Sequence, residues 1–166
     1  MADANINEPE WDMDFAEAPF HSRAMQLGPR AGAEELGASL YEIDPGGAIS
    51  PYHLHHGNEE MLLVLSGTPE LRTPDGERRL EPGAVVAFSR GPDGAHRVSN
   101  PGEEPARIIM ISTTRFPEVA EHPDTGTVLS MTGPAEGKSF PEGTDLPFMD
   151  TVMAAMQAAK ERGPGG

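Results

Sequence analysis

Residues 47–67 read GAISPYHLHHGNEEMLLVLSG, and the order of the polar residues in this stretch decides the fold. His53 and His55 are separated by one residue, and side chains two apart on a β-strand project from the same face. The glycine and asparagine at positions 57 and 58 then predict a turn. Glu60 opens the apolar run MLLVL, which predicts a second strand that can place the carboxylate opposite both imidazoles. The stretch therefore predicts a strand–turn–strand unit with three metal-binding side chains.

A third histidine, His96, follows the glycine-rich segment 91–94 and begins another short apolar run. Three neutral imidazoles and one carboxylate leave one or two coordination positions open for water or substrate, as catalytic metal sites do. The chain contains no cysteine, so a thiolate site, a disulfide and a catalytic cysteine are excluded. Imidazole and carboxylate ligands suit zinc, manganese, iron, nickel or cobalt, and we expect one such divalent ion.

Short apolar runs continue on both sides of this stretch, and each is ended by glycine, proline or aspartate. Many short strands with frequent turn signals are typical of a sandwich or barrel and not of βαβ units. The segment TPDGE at 73–77 predicts a hairpin turn, because glycine tolerates the positive φ that the return requires. We expect an all-β core domain over residues 36–116, with strands at 38–43, 61–65, 71–73, 78–80, 85–88, 96–99 and 107–112.

The N-terminal residues 1–35 lack this pattern. They are acidic and predict an irregular arm that lies over the barrel. Trp11, Phe15 and Phe20 are the candidate anchors of this arm, because burying an aromatic ring removes a large apolar surface from water.

The C-terminal residues 117–166 predict an extension of the barrel. Within it, 136–143 is expected to be a loop and a helix is expected over about 146–160, with Asp145 as its N-cap. Three methionines, at 149, 153 and 156, recur at helical spacing together with Val152. They predict a packing face against the barrel or a second subunit.

The chain carries 27 acidic and 12 basic residues, a net charge of −15. Such a field repels phosphate backbones and anionic membranes and attracts cations, so we expect no nucleic-acid partner. No apolar run is long enough to cross a bilayer, and the first residues lack the pattern of a signal peptide. These observations predict no membrane contact and a cytoplasmic location.

The stretch 47–67 fits the pattern G-x5-H-x-H-x4-E-x6-G at every position, and this pattern is the first motif of the cupins. The second cupin motif, G-x5-P-x-G-x2-H-x3-N, is approximated by Gly83, Gly91, His96 and Asn100. Ser89 stands in place of the proline, and two extra residues precede His96. The chain resembles the cupin superfamily, and the blocks 55–60, 91–100 and 117–124 resemble small single-domain bacterial cupins of unassigned function.

This resemblance implies a cupin double-stranded β-helix, or jelly-roll, barrel. It also implies a mononuclear metal site whose ligands are His53, His55, Glu60 and His96. Small cupins commonly pair through sheet edges or swapped terminal strands, so a homodimer is expected, with the N-terminal arm or the methionine face contributing.

Other titratable residues are weaker candidates for the site. His56 directly follows the histidine pair, but its parity on the strand points it toward solvent or the rim. His21 and His122 lie in irregular segments and are not expected to be ligands. Glu59 could replace Glu60 under a shorter form of the motif, although only Glu60 leaves six residues before the closing glycine.

The expected pocket lining is mostly apolar, which favours a small organic ligand with one metal-chelating oxygen group. Two groups of residues could contribute, and each residue is more often core than substrate contact. Those sharing inward parity with the ligands are Leu62, Val64 and Val98, and those on strands that could reach the cavity are Tyr41, Phe88 and Met110.

Three functions remain open at this stage. The first is an enzyme whose metal polarises a small carboxylate, enol or sugar-like substrate, or activates dioxygen or water, as an oxygenase, decarboxylase, isomerase or lyase would; no general acid or base is identified. The second is a non-catalytic module that binds or senses a small molecule. The third is a metal-free cupin acting through its dimer surface. The superfamily serves enzymes and binding proteins alike, so the resemblance does not choose between them.

Overall fold

The structure, a computed structural model, describes residues 4–134, 136–143 and 148–162. Within these ranges the chain is mostly antiparallel β-structure, as predicted, and no helix there is long and apolar enough to span a membrane. The strands are β1 Met13–Phe15, β2 Ser22–Gln26, β3 Leu36–Ile43, β4 Leu54–His55, β5 Glu60–Ser66, β6 Glu70–Thr73, β7 Gly76–Arg79, β8 Val85–Phe88, β9 Arg97–Ser99, β10 Ala106–Thr113, β11 Glu118–His122, β12 Thr127–Gly133 and β13 Glu136–Pro141. The helices are α1 Leu27–Ala31 and α2 Phe148–Arg162, and a 3₁₀ turn spans Pro92–Gly94.

A six-stranded antiparallel sheet forms the larger part of the fold, in the order β1-β2-β3-β10-β5-β8. Strand β10 is central, with β3 along one side and β5 along the other. Glu60, the first residue of β5, therefore lies between Ser112 of β10 and Phe88 of β8. The hydrogen-bonded ladder on both sides fixes the position of this residue.

Two smaller sheets complete the fold. One has the order β13-β12-β11-β4 and places His55 opposite Ala120, and the other has the order β7-β6-β9. Two isolated bridges, His53 with His96 and Ala48 with Ser99, connect the segment before β4 to β9 and the residue that precedes it. The segments 47–67 and 83–100 are thus joined directly by backbone pairing.

The core lies between the six-stranded and the three-stranded sheets. On β5 the buried residues Leu62 and Val64 alternate with the exposed Met61 and Leu65, the period-2 pattern of a strand with one inner face. Each fully buried aliphatic side chain contributes about 1.5–3 kcal/mol. The buried cluster consists of Ile43, Leu62, Val64, Leu71, Leu80, Phe88, Val98, Ile108 and Met110.

A surface contact ties the three-stranded sheet to the C-terminal sheet. Arg72 of β6 forms a bidentate ion pair with Asp124, in the turn after β11, with N–O distances of 2.5 and 2.9 Å. The Arg72 guanidinium also lies 4.0 Å from the centroid of the Tyr52 ring, so it stacks on the segment that leads into β4.

The strands predicted between residues 38 and 112 are all present, with ends that differ by at most two residues from those expected. The hairpin predicted at 73–77 joins β6 to β7, and Gly76 has the positive φ of 118° that this turn requires. Local alternation and turn chemistry were sufficient for strands with one inner face, such as β5 and β10, while β7, whose four residues are all exposed, follows from the glycine turn that joins it to β6.

The N-terminal arm is more regular than expected. Residues 13–15 and 22–26 form strands, and β2 pairs with β3 along five residues. The buried positions of β2 include Ser22 and Ala24, whose small side chains give little apolar signal in the sequence. Of the three expected anchors, Trp11 is half-buried beneath the Arg23 guanidinium, Phe20 is half-buried, and Phe15 is 44% exposed and is not an anchor.

The prediction of a loop over residues 136–143 is wrong, because Glu136–Pro141 forms β13 and pairs with β12. All six residues of β13 are exposed, so its pairing with β12 leaves no hydrophobic pattern in the sequence. The predicted C-terminal helix is present, whereas its expected cap, Asp145, lies outside the described residues. Its methionines at 149, 153 and 156 are 61, 59 and 63% exposed, so this face has no packing partner among the described residues.

Candidate metal centre

His53 and His96 are held beside each other by the backbone. The His53 N–H donates to the His96 carbonyl at 3.0 Å, and the His96 N–H donates to the His53 carbonyl at 2.8 Å. Their rings lie with centroids 4.6 Å apart. Residues far apart in the sequence thus present their imidazoles to one point, and neither ring can move along its strand without breaking both hydrogen bonds.

Glu60 is the point on which the imidazoles converge. Its Oε2 atom lies 3.2 Å from His96 Nε2, 3.4 Å from His55 Nε2 and 3.9 Å from His53 Nε2. Ligand atoms of His53, Glu60 and His96 all lie within 4.8 Å of one another, a spacing at which they could hold a metal ion. His55 is outside this tightest group of three but shares the same carboxylate oxygen.

The second ring nitrogen of each histidine faces an acceptor. His53 Nδ1 lies 2.9 Å from the Pro51 carbonyl, and His96 Nδ1 lies 2.9 Å from the Gly94 carbonyl. Because a carbonyl can only accept, Nδ1 carries the hydrogen in both rings and Nε2 offers a lone pair. His55 Nδ1 faces the Glu118 carboxylate at 3.5 Å. All three rings are therefore oriented with Nε2 toward Glu60, as metal-ligating histidines are.

Several polar atoms in this cluster are buried without a hydrogen-bond partner among the described residues. They are Glu60 Oε2, His96 Nε2 and His55 Nδ1. A buried polar atom left unsatisfied costs about 1–3 kcal/mol, and native proteins rarely leave several together. A divalent cation would satisfy the carboxylate oxygen and the imidazole lone pair together, so these residues fit a metal ion.

The electrostatics of the cluster favour the ligand-competent protonation states. Burial, followed by the positive charge that His96 carries when protonated, lowers the pKa of His53 from 6.5 to about 4, so its ring is neutral at pH 7. Burial works to raise the pKa of Glu60, but the contact with His96 and the positive charge that the three imidazoles gain on protonation outweigh burial, and the net shift of the pKa is downward. The site thus combines an ionised carboxylate with a neutral His53 imidazole, the forms that bind metals.

Phe88 stacks on the His96 ring, with centroids 3.8 Å apart and an interplanar angle of 8°. His96 is 1% exposed, so the Phe88 ring shields the inner side of the site from water. Most of the expected lining residues, including Leu62, Val64, Val98 and Met110, belong to the core cluster. Tyr41 is half-buried beside that cluster, and burial together with the charge of Glu60 raises its pKa.

A cavity of about 150 Å³ adjoins Glu60 and His55 on the side of the C-terminal extension. None of the six lining residues expected from the sequence borders it. Its lining is a mixture of hydroxyl, amide and apolar groups, contributed by Asn58, Ser112, Thr113, Thr114, Phe116, Glu118, Met131 and Pro134 in addition to the two site residues.

The alternative site residues lie around the cluster. Glu59 is exposed, and His56 is exposed and lies 2.7 Å from Glu121 on the surface. His21 is half-buried outside the cluster. His122 is nearer than expected, with its ring centroid 6.0 Å from that of His53, at the edge of the site.

Glu118 and Asn58 are site residues that the sequence analysis missed. Both are buried, and the Asn58 side-chain amide donates to the Glu118 carboxylate. The alternation in the sequence pointed the wrong way, because the apolar Val119 is exposed and the charged Glu118 is buried. Nothing in the sequence indicated that Glu118 meets His55.

Comparison with known proteins assigns a family to the central part of the chain. Residues 39–112, from β3 to β10, match the family described as the cupin domain. These residues are a cupin domain, and the antiparallel sheets around them form the cupin β-barrel fold. Among curated proteins no sequence matches this chain.

Two solved structures resemble the chain over most of its length. One, from Acidithiobacillus ferrooxidans and described provisionally as a sugar phosphate isomerase, is 27% identical over 82% of this chain and 86% of that one, with a TM-score of 0.72. The other, from Silicibacter pomeroyi and described as a sugar phosphate isomerase from the cupin superfamily, is 22% identical over 87% and 96% of the two chains, with a TM-score of 0.74. The second likeness bears on the fold alone.

The lowered pKa of His53 predicts an acid-sensitive fold for the metal-free protein. Between pH 6.5 and about 4 the unfolded chain binds a proton at this residue that the folded protein does not. The free energy of unfolding, measured with urea at several pH values, should therefore fall as the pH falls through this window. His53→Gln should flatten the slope, whereas His56→Gln, at an exposed position, should leave it intact. If the free energy of unfolding of the wild-type protein does not change between pH 6.5 and 4, the lowered pKa of His53 is contradicted.

Proposed function

We propose that the protein is a metal-dependent cupin that binds one divalent ion through His53, His55, Glu60 and His96. The observation that carries this proposal is the convergence of three Nε2 atoms on one buried carboxylate oxygen. Oriented Nδ1 atoms and unsatisfied buried atoms at the same point support it. Zinc, manganese, iron, nickel and cobalt all suit this ligand set.

When bound, the ion would act as a Lewis acid toward an oxygen of a small organic ligand. The residues of the chain perform the remaining tasks. The Pro51 and Gly94 carbonyls hold the protons of two imidazoles on Nδ1, and Phe88 excludes water from the inner side of His96. The adjoining cavity provides the space for the ligand. A non-catalytic binding or sensing protein would use the same arrangement, and it is the alternative to an enzyme that acts on the ligand.

The cavity favours an uncharged, oxygen-rich ligand of a few carbon atoms. Among the described residues its lining contains the hydroxyls of Ser112, Thr113 and Thr114 but neither lysine nor arginine, and the chain carries a net charge of −15. The 27% identity with the Acidithiobacillus ferrooxidans structure supports a sugar-like ligand. The carboxylates of Glu60 and Glu118 in this lining would repel the phosphate that such a sugar would carry. We therefore place a small hydroxyketone, diol or related sugar fragment ahead of a phosphate ester.

Metal content tests the ligand set. Protein purified without a metal-affinity tag should contain about one divalent ion per chain by elemental analysis. His53→Ala and His96→Ala should each weaken binding by more than the roughly 10–100-fold that loss of an outer-shell partner costs. His56→Ala provides the matched control, because it removes a neighbouring imidazole whose Nε2 contacts Glu121 on the surface. Unchanged metal content in a His53→Ala/His96→Ala double variant would show that these residues are not ligands.

Calorimetry tests the ligand class. Dihydroxyacetone should bind the metal-loaded protein weakly, on the order of 1 mM. Dihydroxyacetone phosphate and oxalate should bind less well at low salt, and the difference should narrow as salt shortens the Debye length below about 10 Å. Tighter binding of the phosphate ester at low salt would reveal a cationic subsite and favour a sugar phosphate. Failure of all three to bind would contradict an open metal site.

We also propose that the protein is a homodimer in which α2 contributes the contact. The N-terminal arm is tied to its own chain, since Arg30 pairs with Glu10 and Asp12. Methionines 149, 153 and 156 expose an apolar face instead. Light scattering should give twice the mass of the chain, and Met153→Glu should give a monomer. The control, Val85→Lys, changes an equally exposed residue on the edge strand β8; a monomer from this variant alone would place the contact at the sheet edge.

A further inference from the structure

The structure assigns to Glu118 the role of a positioning residue that holds the His55 imidazole in the proposed metal site. This inference rests on the proposed function and concerns a residue outside the matched cupin domain, residues 39–112. Glu118 begins β11, in the C-terminal extension, and is 1% exposed. A carboxylate so deeply buried requires donors around it, and those donors identify what it does.

The donors around Glu118 come from the turn between β4 and β5. Its Oε1 atom accepts hydrogen bonds from the backbone N–H groups of His56, at 3.1 Å, and Gly57, at 3.2 Å. The same oxygen lies 3.5 Å from His55 Nδ1, and Oε2 accepts a hydrogen bond from the Asn58 amide. The carboxylate therefore contacts four successive residues that lead from one proposed ligand, His55, toward the next, Glu60.

Asn58 locks this carboxylate in place. Its Nδ2 also donates to the Arg115 carbonyl at 3.0 Å, and its Oδ1 accepts from the Thr113 hydroxyl at 2.9 Å and the Arg115 N–H at 2.8 Å. Both donors and both acceptor sites of the amide are thus used within a buried environment. Because β10 ends at Thr113, the network connects Glu118 to the central strand of the large sheet and leaves it little freedom to rotate.

The position of the Glu118 carboxylate affects the tautomer of His55. The Glu118 carboxylate forms no hydrogen bond with His55 Nδ1 in this structure, but at 3.5 Å its negative charge favours a hydrogen on that nitrogen, so that Nε2 offers its lone pair 3.4 Å from Glu60. His53 and His96 obtain the same orientation from the Pro51 and Gly94 carbonyls, which side-chain substitution does not remove. His53 Nδ1 also lies 3.3 Å from the Ser50 hydroxyl, but it keeps its carbonyl partner when that side chain changes, whereas the outer partner of His55 is a side chain alone. Its orientation therefore depends on the identity of residue 118.

The experiment compares Glu118→Gln with Glu121→Gln, a matched control on the same strand whose carboxylate pairs with the exposed His56 at 2.7 Å. Cobalt and zinc affinities are measured by competition with a chelator. The His55 tautomer is read in the metal-free proteins from the couplings between imidazole ¹⁵N and ring protons. Glu118→Gln should weaken metal binding roughly 10–100-fold and reduce the Nδ1–H tautomer of His55, while the tautomers of His53 and His96 persist. Glu121→Gln should change neither readout.

A second variant keeps the test independent of whether Glu118→Gln folds. The Cβ of Gly57→Ala would fall against Glu118 Oε2, so it displaces the carboxylate while retaining every polar group. It should weaken metal binding and shift the His55 tautomer in the same direction. Wild-type affinity and an unchanged tautomer in either variant would overturn the inference, as would an Nε2–H tautomer of His55 in the wild-type protein. Absence of metal binding by the wild-type protein would instead refute the proposed metal site, and the tautomer would still report on Glu118.

Discussion

A carboxylate in the interior of the molecule, that of Glu60, is the constraint on which the site depends. Removing an ionised group from water is costly unless opposite charge or donors surround it. The ladders on both sides of β5 fix Glu60, so the imidazoles that would hold a compensating cation beside it must be brought to it from elsewhere. The bridge between His53 and His96 does this for two imidazoles, and the pairing of β4 with β11 does it for the third. The small sheets thus position the imidazoles around one side chain of the large sheet, that of Glu60.

The residues of the two cupin motifs follow from the same geometry. Asn100 is buried, and its side-chain amide donates to the Ile43 and Glu104 carbonyls, which fastens the turn after β9 to the end of β3. Gly67 has a φ of 76° and packs against the backbone of Ala106, where a side chain would be both strained and obstructed. These residues contact no candidate ligand, yet they set the positions of the strands that carry them.

Much of this arrangement could be predicted from the sequence because the decisive signals are local. The alternation of His53 with His55 and the position of Glu60 after a two-residue turn signal place three candidate ligands within eight residues. Alternating burial on β5 and the glycine turn before β7 likewise depend on near neighbours. His96 was predicted as a ligand from the resemblance to the cupins. Its spacing in the sequence did not show that it lies beside His53, and the backbone pairing of the two residues explains why it does.

The features that were missed depend on pairing between distant segments. Alternation in β11 would turn the apolar Val119 inward and the charged Glu118 outward, the reverse of what is observed, and no local pattern identifies His55 as a neighbour of Glu118. Strand β13 has only exposed residues, so its existence depends on the free edge of β12 and not on its own composition. In β2, small buried residues such as Ser22 conceal the inner face. Intrinsic β-propensity does not predict a strand whose formation depends on pairing with a partner strand.

Strand β4 contains only two residues, and its pairing with β11 has a consequence for the size of the folding unit. A chain shortened to residues 39–112 would lose β11, and the backbone groups of β4 that it satisfies would become an open edge beside the metal-binding cluster. Such an edge is a template for strand addition by another molecule and invites aggregation. The Arg72–Asp124 ion pair, which fastens the turn after β11 to the three-stranded sheet, would be lost as well. The family match covers residues 39–112, but a folding unit without an open edge beside the metal-binding cluster must extend at least through β11.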